Sequence, residues 1–558
     1  MSSARPAEST TDRPSTHDPL TRRTLLRSAA FAAVPAALAA CGSGSDGAAS
    51  SSTSTSAGSS APVRGGMAPG TAAAPLPELA PPPVVSSESG VLRTTLTAQR
   101  AKVDIGAPAL VDTMTYDGAL PGPTWELRPG DRIELDLVND LPALDHPRHS
   151  DDINRPHEWT HTNIHTHGLH VSPEGNSDNV FLSVEPEGGT QRYEIDLPED
   201  HAAGLFWYHP HKHGGVAAQV RAGMGGLIVV RGDVDEVPEV AAAAEKIMVI
   251  QALELDKDFT LLDPIPDPAE AEAFVPRDQI LYPINGTLHP KVTMYPGEVQ
   301  RWRILNGAQG KFMSLRLADH DLHAIAWDGL TLDEPEVLGD ALVSGGNRLD
   351  VLVKAGEVGT YDLVLTPGSS QHPEIPGSPH PTTPPANVSK ELVARPILTV
   401  EVVGEGPEMA LPSTLPAYDP PIAPIVRRRT VEYTVQRPDD TGFDDFGIDG
   451  QPFDPDRPPY VAKLGTAEEW TVVNAHDRKL PQHAHVFHIH VNPFKVTKIN
   501  GVPVEKPFWR DTYVLNGSDD DSFTMETNFE DFTGQFVQHC HVLSHEDLGM
   551  MEKVEVQP

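Results

Sequence analysis

A chain of 558 residues is too long for one core and divides into two to four domains. Its net charge of −37 repels nucleic-acid phosphates, and its two cysteines, Cys41 and Cys540, allow no disulfide framework, so buried area must hold the fold. A hydrophobic content of 39% with 55 Pro and 45 Gly fits a loop-rich all-β protein.

The N-terminus reads as an address. Thr21-Arg22-Arg23-Thr24-Leu25-Leu26-Arg27 is a twin-arginine export signature. The apolar run from Ser28 to Ala40 is too short to span a bilayer. Leu38-Ala39-Ala40-Cys41 resembles a bacterial lipobox; an ordinary signal peptide with an incidental Cys41 is the blander reading. Residues 1–40 are assigned to a twin-arginine signal peptide with lipobox. Residues 41–90, rich in Ser and then Pro, are assigned to a disordered tether. The expected location is extracytoplasmic. A lipid on Cys41 would hold the chain to the outer face of the cytoplasmic membrane or cell envelope, its one membrane contact.

One segment then recurs. Pro129-Gly130-Asp131-Arg132-Ile133-Glu134-Leu135-Asp136-Leu137-Val138-Asn139 is a turn followed by an alternating strand. Segments 296–306 and 464–474 repeat it, each ending in Asn (Asn306, Asn474). Upstream of each copy lies an Asp/Asn-Gly turn: Asp117-Gly118, Asn285-Gly286 and Asp449-Gly450. The long shared period predicts three homologous domains, at 91–235, 240–403 and 426–558. Period-two alternation predicts antiparallel sheets packed as sandwiches. The segment 366–388 reads as a surface excursion and 404–425 as a linker.

Chemistry concentrates in four clusters. His165-Thr166-His167-Gly168 and His209-Pro210-His211 lie in the first repeat. His485-Val486-Phe487-His488-Ile489-His490 and the stretch 539–551 lie in the third. A His-x-His pair on a strand puts both rings on one face, so each pair can serve adjacent metals. Cys540 with two imidazoles and a thioether such as Met550 is the ligand set of a blue-copper site. His539 and His541 point away from Cys540 and must serve a second centre. The middle repeat has only scattered His289, His320 and His323, so its role reads as positioning its neighbours. Isolated histidines such as His157, His170, His201, His213 and His483 are assigned no role.

These motifs resemble the multicopper oxidases, in their three-domain bacterial laccase-like branch, over roughly residues 95 to 558. The resemblance implies three consecutive cupredoxin-like Greek-key β-sandwich domains and four copper ions. His485, Cys540 and His545 would bind a type 1 copper with Met550 axial. His165 and His488 would bind a type 2 copper. His167, His209, His211, His490, His539 and His541 would bind a type 3 pair. Two positions depart from the family pattern: Val491 replaces a Gly and Val486 a Pro. The implied reaction takes single electrons from a reductant at type 1 copper, passes them through Cys540 to its flanking histidines, and reduces dioxygen to water. Glu546 and Asp178 would deliver protons; the blander reading makes each a scaffold for a ligand histidine. The expected reductant is a phenolic or aromatic small molecule. The alternative is a metallo-oxidase of Cu(I), Fe(II) or Mn(II), against which stands the absence of a Met-rich segment among the 11 Met. The complete histidine set argues against a copper nitrite reductase and against a copper-free binding protein of this fold.

Overall fold

The repeated strand is the axis of each sandwich. The computed structural model describes residues 75–143, 152–256, 258–261, 280–367, 394–436, 445–475, 483–517 and 521–558. Arg132–Asn139, Val299–Asn306 and Thr466–Asn474 are the three copies. Each pairs in parallel with the strand that opens its repeat: Val91–Val103, Ala244–Ile250 and Ile425–Gln436. Each pairs antiparallel on its other side, with Gly189–Asp196, Arg348–Lys354 and Ser522–Phe529. A parallel neighbour cannot be reached by a hairpin, so the chain crosses to the second sheet and returns. The expected antiparallel sheets are therefore mixed, each repeat carrying parallel pairs beside antiparallel ones. Local alternation reports which face is buried and is blind to strand direction.

The sheets draw on residues 84–230, 244–402 and 425–557. Ile133, Leu135 and Leu137 are wholly buried, while Arg132 and Asp136 face solvent. In the middle copy both faces are buried. Arg301 and Arg303 lie under the short helix Asp233–Glu236, where Asp235, Glu245 and Asp350 neutralise them. Buried guanidinium groups persist only when paired in this way.

The repeated asparagines do one job three times. Asn139 Nδ2 donates to the carbonyls of Thr160 and Val184, Asn306 Nδ2 to those of Lys311 and Val343, and Asn474 Nδ2 to those of His483 and Asn516. Each ties the end of its strand to the loop that crosses between the sheets. Asn306 also accepts the Ala308 N–H, so replacing it by Ala orphans three backbone groups, two of them fully buried. Asn306→Ala is expected to cost about 3 kcal/mol, read as a lower urea midpoint; an unchanged midpoint would contradict this role. The upstream turns are equally alike. Asp117-Gly118, Asn285-Gly286 and Asp449-Gly450 each place two successive residues at positive φ, as a tight hairpin turn demands.

The predicted tether ends too late. Val84–Ser86 pairs in parallel with Thr124–Glu126, and Leu79 N–H donates to Lys291. Pro81-Pro82-Pro83 pre-extends this segment, and the open edge of Thr124–Leu127 captures it. Residues 1–74, including Cys41, and most of the 366–388 excursion lie outside the described residues. Among the described residues no helix is long and apolar enough to cross a membrane.

Candidate metal centre

Strand pairing assembles the clusters. His165–His167 runs antiparallel to Gly204–His209, with His165 opposite His209. In the third sandwich His485–Ile489 runs antiparallel to Gly534–Cys540, placing His488 opposite His539 and Phe487 opposite Cys540. The alternation that sends Cys540 into the core of its own sandwich sends His539 and His541 out of it, toward the first repeat. All twelve expected metal residues are buried, none more than 4% exposed.

Their ligand atoms fall into compact groups, each within 4.8 Å. These are His165, His167 and His488; His167, His209 and His541; His211, His490 and His539; and His485, Cys540 and His545. Rings from the first and third repeats interleave: His165 stacks on His490 and His167 on His488, each at 3.8 Å. The Nε2 atoms of His211, His490 and His539 lie 3.1–3.3 Å apart. Nδ1 of His211 and of His539 face Glu546 at 3.5 and 3.1 Å, and the Cys540 carbonyl lies 3.2 Å from His539 Nδ1, contacts that favour the Nδ1-protonated tautomer of these two rings. Nε2 of His165, His209 and His488 and Nδ1 of His167 are buried without hydrogen-bond partners. Burial pushes these imidazoles well below the usual histidine range, and His211 and His539 to about 4, so all are neutral at pH 7. Neutral imidazole nitrogens converging at a buried site are a donor set that fits a metal cation, and imidazole donors suit copper.

The fourth group is separate. Cys540 Sγ lies 3.6 Å from His485 Nδ1 and 3.7 Å from His545 Nδ1. Burial pushes the thiol up to about 12, so a thiolate here requires a bound cation. Val486 N–H donates to the sulfur at 3.5 Å, a bond the family's proline could not make. Met550 is wholly buried, and its carbonyl accepts the Cys540 N–H at 3.0 Å. Phe446 stacks on His545 at 4.0 Å.

The two predicted acids both sit beside ligand histidines. Asp178 accepts from His165 Nδ1 at 2.9 Å and from the Thr166 N–H at 2.7 Å. Glu546 bridges His211 and His539. Burial raises each carboxyl to about 7. The adjacent Asp547 had no signal in the sequence. Its carboxylate caps the helix Val216–Ala222 from outside by accepting the Gly214 and Ala217 N–H groups, which fixes the chain beyond His211. Asp511 and Thr512 were also missed; they contact His167 and His488. Val491 adopts φ +67°, the left-handed conformation that glycine favours, and its carbonyl lies 2.8 Å from His170 Nδ1.

His213 belongs to none of the ligand groups and lies 3.2 Å from Asn154 Oδ1. His201 is a buried neutral imidazole, its Nδ1 facing the Ala202 carbonyl at 2.8 Å and its Nε2 accepting the His170 N–H. Burial lowers it from 6.5 to about 4, so the unfolded chain takes up the proton first as pH falls. Its contribution to stability is complete above pH 6.5 and is lost on approaching pH 4, a change of about 3 kcal/mol. His201→Gln is expected to flatten the fall in urea midpoint between pH 7 and 4; an equal fall in both proteins would contradict this.

Multicopper oxidase family models match residues 152–235, 263–382 and 425–558. The chain is 26% identical to a multicopper oxidase of Staphylococcus aureus over 84% of this chain and 89% of that one. It is 24% identical to a laccase of Bacillus stratosphericus over 86% and 98%. The solved structure of a Campylobacter jejuni multicopper oxidase, described as a metallo-oxidase, superposes with a TM-score of 0.67 at 24% identity, covering 87% of this chain and 96% of that one.

Proposed function

Since the chain belongs to the multicopper oxidase family, and is therefore an oxidoreductase using copper and dioxygen, we propose that it is a laccase-like oxidase of phenolic and aromatic reductants outside the cytoplasm. The observation that carries the reading is the set of buried groups in which bare imidazole lone pairs face one another. Four coppers would fill them. His485, Cys540, His545 and Met550 would hold type 1 copper, and His165 and His488 type 2. His167, His209 and His541 would hold one type 3 ion, and His211, His490 and His539 the other. Bound copper supplies one-electron acceptance at the first site and dioxygen reduction at the others.

The chain's own groups set the ligand tautomers. Asp178 accepts the Nδ1 proton of His165 and leaves Nε2 as the donor atom. Glu546 lies 3.5 Å from His211 Nδ1 and 3.1 Å from His539 Nδ1, and its charge favours a proton on that atom of each; the Cys540 carbonyl, 3.2 Å from His539 Nδ1, is the acceptor there. Both carboxyls, held near 7 by burial, can carry a proton inward at neutral pH. At the entry site His545 is 4% exposed and Phe446 5%, so reductants meet a small, partly aromatic patch. The scattering of the 11 Met supports organic reductants over Cu(I), Fe(II) or Mn(II).

The proposed domain plan keeps three cupredoxin domains behind an exported, lipid-anchored N-terminus at Cys41. Mass spectrometry of the membrane fraction tests the anchor; an unmodified N-terminus downstream of Cys41 would remove it. Oxygen consumption by copper-loaded protein tests the substrate class. Turnover of phenols is expected, and turnover of metal ions alone would overturn the organic reading.

A further inference from the structure

The middle sandwich contributes no metal ligand, yet it forms a wall of the histidine cluster. Gly346, at φ +87°, lies so close to His541 that an added Cβ would sit 2.9–3.0 Å from the ring. Two residues on, Arg348 is 1% exposed and spends all five guanidinium N–H donors. Nε donates to the Leu205 carbonyl of the first sandwich at 3.1 Å. Nη1 donates to the Gly346 carbonyl and to Asp511 Oδ1, each at 2.9 Å. Nη2 donates to the Asp328 carbonyl at 2.8 Å and to Asp511 Oδ2. One side chain therefore ties all three sandwiches together.

The group it grips leads directly to the ligands. Thr512 donates its hydroxyl proton to Asp511 Oδ1 at 2.8 Å. The Thr512 oxygen is then an acceptor, 3.1 Å from His167 Nε2, with Asp511 Oδ1 itself at 3.4 Å. That places the His167 proton on Nε2 and leaves Nδ1, which has no hydrogen-bond partner, as its donor atom. The Asp511 carbonyl lies 2.8 Å from His488 Nδ1, which likewise leaves Nε2 of His488 bare. Gly168 completes the arrangement, since a Cβ there would come within 2.4 Å of Asp511 and 2.5 Å of Arg348. Asn347 fastens the same loop, donating to the Thr512 carbonyl at 3.1 Å.

We propose that Arg348 is a positioning residue of the oxygen-reducing centre: by clamping Asp511 with a two-pronged ion pair, it fixes the orientation and tautomer of His167 and His488. The inference rests on the copper assignment above. It also gives the ligand-free repeat a chemical role, because no lysine can reproduce five planar donors.

The test compares copper-loaded wild type with Arg348→Lys, Arg348→Gln and a control, Asp350→Asn. Asp350 lies on the same strand and grips Arg301 at 2.6 Å, and no recorded contact joins it to the histidine cluster. The readouts are the type 2 copper EPR spectrum, the blue type 1 absorption, and kcat with KM for the reductant. Both Arg348 variants are expected to alter or empty the type 2 signal and lower kcat about 10–100-fold. Their blue absorption and reductant KM should stay at the wild-type level. Asp350→Asn should lower thermal stability and leave the type 2 spectrum alone. If the type 2 spectrum and kcat of the Arg348 variants stay within twofold of a fully loaded wild type, the inference fails alone. If the blue and type 2 signals fall together in the Arg348 variants and in Asp350→Asn, Arg348 is merely structural and the inference is overturned. A wild type that takes up no copper would overturn the copper assignment first, and the inference with it.

Discussion

Replacing Cys540 by Ser is expected to abolish the blue absorption and lower oxygen consumption by about three orders of magnitude in a protein that still folds. The two sulfur-to-imidazole approaches, 3.6 and 3.7 Å, define the only described ligand group containing a thiol. A serine hydroxyl is too hard and too basic to replace the thiolate. The same substitution cuts the short route from that group to the cluster, because His539 and His541 are the immediate neighbours of residue 540 along the chain. Folding should survive: Cys540 is pinned by its own backbone N–H to the Met550 carbonyl, and serine is slightly smaller than cysteine. Retained blue absorption would contradict the assignment. Retained oxygen consumption without it would show electrons entering elsewhere.

The second large effect is expected at Glu546. Glu546→Gln should slow oxygen reduction about 10–100-fold and leave anaerobic reduction of the type 1 copper unchanged. The Glu546 side chain touches His211 and His539, two of the three imidazoles whose Nε2 atoms converge, and lies outside the group of His485, Cys540 and His545, although its backbone directly follows His545. An amide keeps the shape but removes the negative charge that faces Nδ1 of both histidines. It also cannot release a proton. Stopped-flow reduction and single-turnover reoxidation separate the two halves. Equal rates in both halves for variant and wild type would remove Glu546 from the reaction. A slowed first half would mean that the variant disturbs the type 1 site through the helix Leu543–Asp547, which holds His545 as well.

The ligands were legible in the sequence because strand geometry is so regular. A His-x-His pair must present both rings to one face, and a residue flanked by two others must oppose them; the pairings of His165 with His209 and His488 with His539 then bring those faces together. The three repeats were legible for a similar reason, since each Asn that ends the copied strand is needed for two specific carbonyls. Strand direction was not legible. Val91–Val103 and Arg132–Asn139 alternate as antiparallel strands would, yet they pair in parallel. Arg301 and Arg303 are buried where the first copy places Glu134 and the exposed Asp136, because their counter-charges come from Asp235 and Glu245, more than 55 residues upstream. Arg348, Asp511 and Asp547 were invisible for the same reason. Their roles depend on contacts between sandwiches, and no local spacing encodes those. The late end assigned to the tether has the opposite cause: a Pro-rich composition reads as disorder until a free sheet edge is there to receive it.

Copper analysis combined with EPR of the loaded protein decides whether the four buried ligand groups hold four coppers of three kinds. About four coppers per chain are expected, of which one is blue and EPR-active, one is EPR-active without the blue band, and two are EPR-silent as a coupled pair. One copper per chain, or four that are all EPR-active and uncoupled, would contradict it.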